Sequence, residues 1–96
     1  MIIKSTPLVL VEFYAEWCPH CRRMEKVQKE LTEELGDETN FFTIDVDRHP
    51  DVADEAGVKG WPTFIIYRRG REVYRAVGEQ EKTCILDKLE EFRPKQ

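Results

Sequence analysis

The amino-acid sequence predicts an α/β fold in which helices flank a central mixed sheet of four strands. Two strand-like runs, 8–14 and 40–46, are separated by a helical pattern, which indicates a βαβ unit with a parallel strand pair. Two further strand-like runs surround a turn at Gly70 and precede a helical pattern, which indicates an antiparallel hairpin and a closing helix. The predicted order is therefore βαβ, a short helix and then ββα.

The first half of the chain supplies the predicted parallel pair. "LVLVEFY" (8–14) is a nearly continuous apolar run of strand length, which is typical of a strand buried on both faces. From Pro19 to Leu35 the apolar residues recur at helical spacing, and Gly36 follows in a C-cap position. "NFFTIDV" (40–46) is the second predicted strand.

The second half supplies the short helix, the hairpin and the last helix. "PDVADEAG" (50–57) has proline at its start and glycine at its end, which are typical helix boundary residues. The hairpin spans 62–77, and the closing helix spans 79–92. The residues expected on the inner face of that last helix are Ile85, Leu86, Leu89 and Phe92.

Size and composition limit the class of protein. A chain of 96 residues without repeat, linker or low-complexity segment is expected to form a single domain, 1–96. Charged residues make up 35% of the chain, and they are mixed along it with a net charge of −4, so neither nucleic acid nor a membrane surface is an expected partner. The longest apolar stretch is far shorter than the about 20 residues of a membrane span. Because the N-terminus does not resemble a signal peptide, we expect a cytoplasmic protein unless an export signal has been removed. We also expect a monomer.

The stretch "EWCPHCRRM" (16–24) carries the chemistry, because it places a Cys-x-x-Cys pair between the first strand and the first helix. Cys18 lies at the predicted helix start, where free backbone N–H groups stabilise an anion, and Pro19 fits the first helical position. Cys21 lies one turn later, within disulfide reach and beside the apolar stripe. We therefore expect an exposed, attacking Cys18 and a shielded, resolving Cys21.

Two other interpretations of the cysteine pair need to be considered. Two inert buried thiols would both lie on the apolar stripe. A structural zinc site would need four ligands, usually as two spaced pairs, whereas Cys84 and His49 form no second pair. Three cysteines are also too few, and odd in number, for a disulfide scaffold. No metal or other bound cofactor is therefore expected.

Two segments together resemble the thioredoxin family. "VEFYAEWCPHC" is similar to the active-site strand and loop of thioredoxins, and "GVKGWPTFIIYRRGREV" is similar to the segment with their cis-proline and hairpin. The resemblance covers nearly all of the chain from Leu8 onward and implies a thioredoxin-like fold shortened at its N-terminus. It implies that Cys18 is the nucleophile, that Cys21 resolves the mixed disulfide, that Trp17 packs beside the site and that Pro62 is a cis-proline facing the dithiol.

Glu12 interrupts an apolar strand where thioredoxins usually have a buried aspartate. By this resemblance, Glu12 assists proton transfer to and from the resolving cysteine, with a pKa raised by burial. The alternative is an acid at a strand end that reaches solvent. Because Thr43 stands where the family often has a lysine, Glu12 is expected to lack its usual partner.

Two further residues depart from the family pattern. Trp61 replaces a smaller residue before the proline; it is either a substrate contact, where its backbone could pair with an incoming peptide, or a surface ring that covers a loop. The dipeptide Pro19-His20 is that of a strongly oxidising periplasmic family rather than of thioredoxins. A cationic His20 would stabilise the Cys18 thiolate and make the disulfide a better oxidant; alternatively, the ring packs above the helix start.

The sequence thus predicts a thiol-disulfide oxidoreductase acting on protein disulfide or dithiol substrates, with a reductase or other redox partner. Whether it works as a reductant, an oxidant or an isomerase stays open at this point. A non-catalytic binding module that uses the surface of Trp17, Trp61 and Pro62 is the alternative from another class. For Cys84, either an incidental position or an accessory redox role is possible.

Overall fold

The computed structural model describes residues 7–35 and 39–93, in which four strands form one mixed sheet. The strands are β1 (Leu8–Tyr14), β2 (Asn40–Asp45), β3 (Thr63–Arg68) and β4 (Arg71–Val77). Their order in the sheet is β2-β1-β3-β4, where β1 pairs with β2 in parallel and with β3 antiparallel, and β3 pairs antiparallel with β4. The fold class and pairing predicted from the sequence are confirmed.

Strand β1 is buried on both faces, as its continuous apolar run predicts. Val9, Val11 and Phe13 contribute to one core cluster, while Leu8 and Leu10 contribute to the other. Burying an aliphatic side chain of this kind contributes about 1.5–3 kcal/mol, so this strand is a main source of stability. Because side chains alternate along a strand, Glu12 shares the face of Leu8 and Leu10.

The helices cover both faces of the sheet. The helices are α1 (Pro19–Arg23), α2 (Glu25–Leu35), α3 (Pro50–Glu55) and α4 (Lys82–Phe92). Residues of α2 and α4 pack in the cluster with Leu8 and Leu10, whereas Ala53 of α3 packs in the cluster with Val9 and Val11. Both the short helix after β2 and the closing helix are confirmed, although the closing helix begins at Lys82 and not at residue 79.

The prediction of one continuous helix from Pro19 to Leu35 is wrong, since α1 and α2 meet at Met24. The Met24 N–H donates to the carbonyl oxygen of Cys21 at 3.0 Å, three residues back instead of four, and the Gln28 N–H then donates to the Met24 carbonyl oxygen at 2.8 Å. The apolar stripe continues on both sides of this interruption, so periodicity did not reveal it. The expected helix end at Gly36 lies outside the described residues.

Two turns have the backbone conformation that their glycines suggest. Arg69 (φ 51°) and Gly70 (φ 83°) both have positive φ, which is typical of the tight turn of a two-residue hairpin. Gly57 (φ 70°) follows α3 in the left-handed conformation of a helix end. Within the described ranges, no helix is long and apolar enough to cross a membrane.

Candidate active site

The chain passes directly from β1 into α1, and this transition positions the two cysteines. Cys18 is the N-cap of α1 with an extended backbone (φ −81°, ψ 118°), and Pro19 occupies the first turn. The Cys18 N–H donates to the Ala15 carbonyl oxygen at 3.2 Å, and the Cys18 carbonyl oxygen accepts from the Arg22 N–H at 3.1 Å. Because proline has no N–H to satisfy, Pro19 begins the helix without losing a hydrogen bond.

Both cysteines are free thiols and both are buried, with exposed fractions of 4% for Cys18 and 5% for Cys21. The expectation of an exposed Cys18 is therefore wrong. The reason is a distant loop: the Cys18 Sγ lies 3.7 Å from the Trp61 carbonyl oxygen, to which the thiol can donate a weak hydrogen bond. A helical wheel describes directions around one helix and contains no information about this loop.

Cys21 is the sulfur that resists ionisation. Burial raises the pKa of its thiol to about 12, and its neighbours Cys18 and Glu12 act in the same direction, although a hydrogen bond with the backbone of Ala15 opposes them. The shielded environment predicted for Cys21 is therefore confirmed. At neutral pH this thiol stays protonated unless a neighbouring group accepts its proton.

The loop before β3 faces the dithiol. The peptide bond between Trp61 and Pro62 is cis, as the resemblance implies, and Pro62 is buried. The Pro62 carbonyl oxygen accepts from the Gly78 N–H at 2.8 Å, which ties this loop to the end of β4. The Trp61 carbonyl oxygen is thereby held beside the Cys18 Sγ.

An apolar surface adjoins the Cys18 thiol. The Trp17 side chain is 62% exposed, its indole N–H donates to the Asp47 carboxylate at 2.8 Å, and its ring meets that of Trp61 edge-on with centroids 6.1 Å apart. Exposed Val77 lies close to Gly60, at the end of the same loop. The Trp61 ring therefore forms part of an aromatic pair next to the dithiol.

His20 projects away from the core. Its side chain is 60% exposed, so the expectation that it packs above the helix start is wrong. The ring Nδ1 lies 2.7 Å from the Glu79 carboxylate and 2.8 Å from the Arg23 guanidinium, which itself donates to Glu79 at 2.9 Å. Hydrogen bonds from His20 and Arg23 lower the pKa of Glu79. Glu79 thus pairs with both His20 and Arg23 on α1.

Glu12 is a buried acid with an exposed fraction of 2%, so the alternative of a strand-end carboxyl in solvent is wrong. Burial raises the pKa of this carboxyl to about 7, and a hydrogen bond from Gln28 acts in the opposite direction. Gln28 Nε2 donates to Glu12 Oε1 at 3.1 Å, so the carboxyl has an amide partner instead of the lysine that is usual in the family. The position of Thr43 opposite Glu12, on β2, is confirmed by the strand register.

Sequence reasoning missed Gln28, although a signal was present. Gln28 follows Met24 by four residues and precedes Leu31 by three, so it occupies the apolar stripe of the helix. A polar residue at such a position needs a buried polar partner, and Glu12 is the polar group in the neighbouring strand. Glu79, in contrast, lies in an exposed segment where the sequence carries no comparable signal.

A cavity of about 760 Å³ opens beside Glu12 and Cys21, with Gln28 and Thr43 also in its lining. It connects the Glu12 carboxyl and the Cys21 thiol to the same open space. In the described part of the chain, no three His, Cys, Asp or Glu side chains converge as a possible metal site. Cys84 is exposed on α4.

The fold is thioredoxin-like, and it places a free Cys-x-x-Cys pair beside a loop that contains a cis-proline. The family model described as Thioredoxin matches residues 1–91. The chain therefore belongs to the thioredoxin family, whose members act on protein disulfides, and this membership supports thiol-disulfide oxidoreductase chemistry as its general activity.

Individual relatives agree with this assignment. The chain is 32% identical to Thioredoxin 1 of Synechococcus elongatus over 93% of its own length and 83% of that protein. It is 32% identical to the chloroplastic Thioredoxin Y of Oryza sativa subsp. japonica over 94% of its own length, but it spans only 54%, about half, of that relative. The solved structure of a mutant thioredoxin from Halobacterium salinarum matches with a TM-score of 0.87 at 30% identity, covering 99% of this chain and 82% of that one.

Proposed function

We propose that the protein exchanges disulfides with protein substrates, using Cys18 as the nucleophile and Cys21 as the resolving cysteine. The observation that carries this proposal is the unequal surroundings of the two free thiols. Cys18 lies at the start of α1 against the Trp61 carbonyl oxygen, whereas the pKa of Cys21 is raised to about 12 by burial. One sulfur is thus placed to meet a substrate and the other to stay protonated until it is needed.

The exchange proceeds in two balanced steps. The Cys18 thiolate attacks one sulfur of a substrate disulfide, whose S–S bond breaks, and the other substrate sulfur leaves as a thiolate that takes up a proton. Cys21 then loses its proton, and its sulfur attacks the Cys18 sulfur of the mixed disulfide. The Cys18–Cys21 bond forms, the second substrate sulfur leaves and is protonated, and two electrons have passed to the substrate.

Glu12 is the proton acceptor that this second step needs. A carboxyl with a pKa of about 7 is partly ionised at neutral pH, so it can both take a proton from Cys21 and return it in the reverse direction. Glu12 and Cys21 line the same cavity, and the charge on Glu12 contributes to the raised pKa of Cys21. Both facts support a proton path between these two groups.

The surface around Cys18 suits an extended peptide that carries a disulfide. The Trp61 carbonyl oxygen can accept a backbone hydrogen bond, and Pro62 keeps the loop in place beside the thiol. The exposed ring of Trp17 and the ring of Trp61 offer apolar area to side chains next to the substrate cysteine. Protein disulfides, rather than small thiols alone, are the substrates that this surface favours.

A second candidate is that the protein acts as an oxidant or an isomerase. The Pro19-His20 dipeptide favours it, because a cationic imidazole beside Cys18 would stabilise the thiolate and hence the reduced form. Our first proposal is a cytoplasmic reductant whose Cys18–Cys21 disulfide is reduced again by a reductase. Equilibration of the Cys18–Cys21 pair with glutathione buffers distinguishes them, since a potential near that of ordinary thioredoxins excludes the oxidant.

The experiment that tests the proposed function is the reduction of a disulfide-bonded protein, with dithiothreitol as the electron source. Cys18→Ser is expected to lower the catalysed rate at least about 100-fold, because the attacking sulfur is lost. Cys84→Ser is the matched control, since Cys84 lies exposed on α4 and is expected to leave the rate unchanged. A Cys18→Ser variant that reduces disulfides at the original rate would contradict the role of Cys18. A wild-type protein that does not accelerate the reduction would instead support the non-catalytic binding module.

A further inference from the structure

Gln28 is a polar residue on the buried side of α2. The residues before and after it on this side, Met24 and Leu31, are 3% and 0% exposed, while Gln28 itself is half-buried. Its amide reaches across to β1 and donates to Glu12 Oε1 at 3.1 Å. A glutamine at this position therefore joins the helix that follows the dithiol to the buried acid.

We propose that Gln28 is a positioning residue for the dithiol chemistry: its neutral amide holds the Glu12 carboxyl at the cavity shared with Cys21 and leaves that carboxyl able to gain and lose a proton. This inference rests on the proposed function, in which Glu12 accepts the proton of Cys21.

The neutrality of the donor is the central point. An amide N–H can donate to a carboxylate and also to the carbonyl oxygen of a protonated carboxyl, so Gln28 supports both forms of Glu12. A cation in the same place would favour the ionised form alone. Thr43, which faces Glu12 from β2, is uncharged, and so is Phe64, which faces it from β3.

The remaining charges lie around the mouth of the cavity. Tyr14 on β1 and Cys21 on α1 line the cavity and are titratable, but the ordinary pKa values of tyrosine and cysteine already lie above 7, and burial raises both pKa values further, so both groups are neutral at pH 7. The charged groups in its lining are exposed to water, which screens them. They are Glu16, Arg22, Glu25, Lys26 and Lys29. Burial and the Gln28 bond are accordingly the main influences on the pKa of Glu12.

A purely structural role would predict a different outcome from a positioning role. If Gln28 only satisfied a buried carboxyl, its loss would change the stability of the fold and not the pH at which the resolving step accelerates. If Gln28 positions Glu12 for proton transfer, substitutions of Gln28 shift the pH at which the resolving step accelerates.

The test is a pH titration of the Glu12 carboxyl by ¹³C NMR in the reduced protein, together with the pH dependence of the rate at which Cys21 resolves a mixed disulfide. We expect Gln28→Lys to lower both midpoints by about one to three pH units, as a nearby cation does. Gln28→Leu is expected to raise both, because the hydrogen bond that lowers the pKa is lost. Gln28→Met gives the same information if the leucine variant fails to fold.

Two controls make the result specific. Thr32→Val, one turn further along the exposed side of α2, is expected to leave both midpoints unchanged. In a Glu12→Gln background, the Gln28 variants are expected to lose their effect on the resolving rate, because they act through the carboxyl.

The inference is overturned if folded Gln28 variants leave the Glu12 midpoint unchanged, or if they move that midpoint without moving the pH dependence of resolution. The carboxyl titration needs no turnover, so this failure is distinct from failure of the proposed function, which would appear as full activity in Cys18→Ser.

Discussion

At the scale of single residues, the two cysteines of the site differ in the groups that lie against their thiols. Both thiols belong to the same core cluster, but the thiol of Cys18 lies against the Trp61 carbonyl oxygen, which can also accept a hydrogen bond from a substrate, while the thiol of Cys21 is influenced by Glu12. Two thiols of nearly equal exposure thus have different neighbours, and the chemistry of those neighbours contributes to the reactivity of a thiol beside its burial.

The buried acid makes a testable contribution to stability. The pKa of Glu12 is about 7 when folded and 4.5 in its ordinary state, so between these values the unfolded chain ionises while the folded chain does not. This residue should therefore lower the free energy of unfolding as pH rises from about 4.5 to 7, by on the order of 3 kcal/mol. Glu12→Gln, which keeps the shape and cannot ionise, is expected to remove that loss in urea unfolding curves measured across this pH range. Equal pH slopes in both proteins would show that Glu12 ionises freely.

At the scale of elements, the junction between α1 and α2 lies where the chain passes from one core cluster to the other. Met24 shares one cluster with Leu31 and Leu35, while Cys21 on the preceding turn belongs to the other. The dithiol helix and the helix that carries Gln28 therefore meet at a buried residue.

Shortening the Met24 side chain at this junction should destabilise the fold. Met24 is 3% exposed, so Met24→Ala is expected to lower the free energy of unfolding by about 2–5 kcal/mol through lost burial and a cavity. Glu33→Ala, at an exposed position of α2, should change it by less than about 0.5 kcal/mol. Denaturant unfolding of both variants measures the difference, and a Met24→Ala variant as stable as the Glu33 variant would contradict the packing described.

At the scale of the whole molecule, the site joins segments that are far apart in the chain. The start of α1 meets the loop before β3 through Cys18 and Trp61, 43 residues apart, and meets the segment after β4 through His20 and Glu79, 59 residues apart. Sheet order brings these segments together, because β3 lies next to β1 and holds its loop at the same edge.

The link between His20 and Glu79 predicts an effect on the reduction potential. If a cationic ring near Cys18 stabilises the thiolate, His20→Pro should lower the potential by on the order of 30 mV, a tenfold change in the equilibrium constant. Proline is tolerated in the first helical turn, so the fold should persist. Glutathione equilibration measures the potential, with His49→Asn at the start of α3 as the control. An unchanged potential in His20→Pro would contradict tuning by this ring.

The features that the sequence predicted depend on residues close together in the chain, whereas those it missed depend on residues far apart in it. The strand of 8–14, the helix boundaries at Pro50 and Gly57 and the placement of Cys18 at a strand-to-helix transition follow from local patterns, and all are confirmed. The cover over Cys18 and the partner of Glu12 depend on side chains from distant elements. Periodicity assigns a face to a residue, but it does not state which group lies opposite.

The most direct test of unequal sulfurs is to trap the mixed disulfide. Cys21→Ser, incubated with a disulfide-bonded protein substrate, is expected to accumulate a covalent complex, because the resolving thiol is absent. Mass spectrometry of the digested complex should locate the substrate sulfur on Cys18, and Cys18→Ser should form no such complex. The assignment of Cys18 as the nucleophile would be contradicted if Cys18→Ser formed a stable complex through Cys21, or if the complex of Cys21→Ser were joined through Cys84. It would also be contradicted if Cys21→Ser formed no complex.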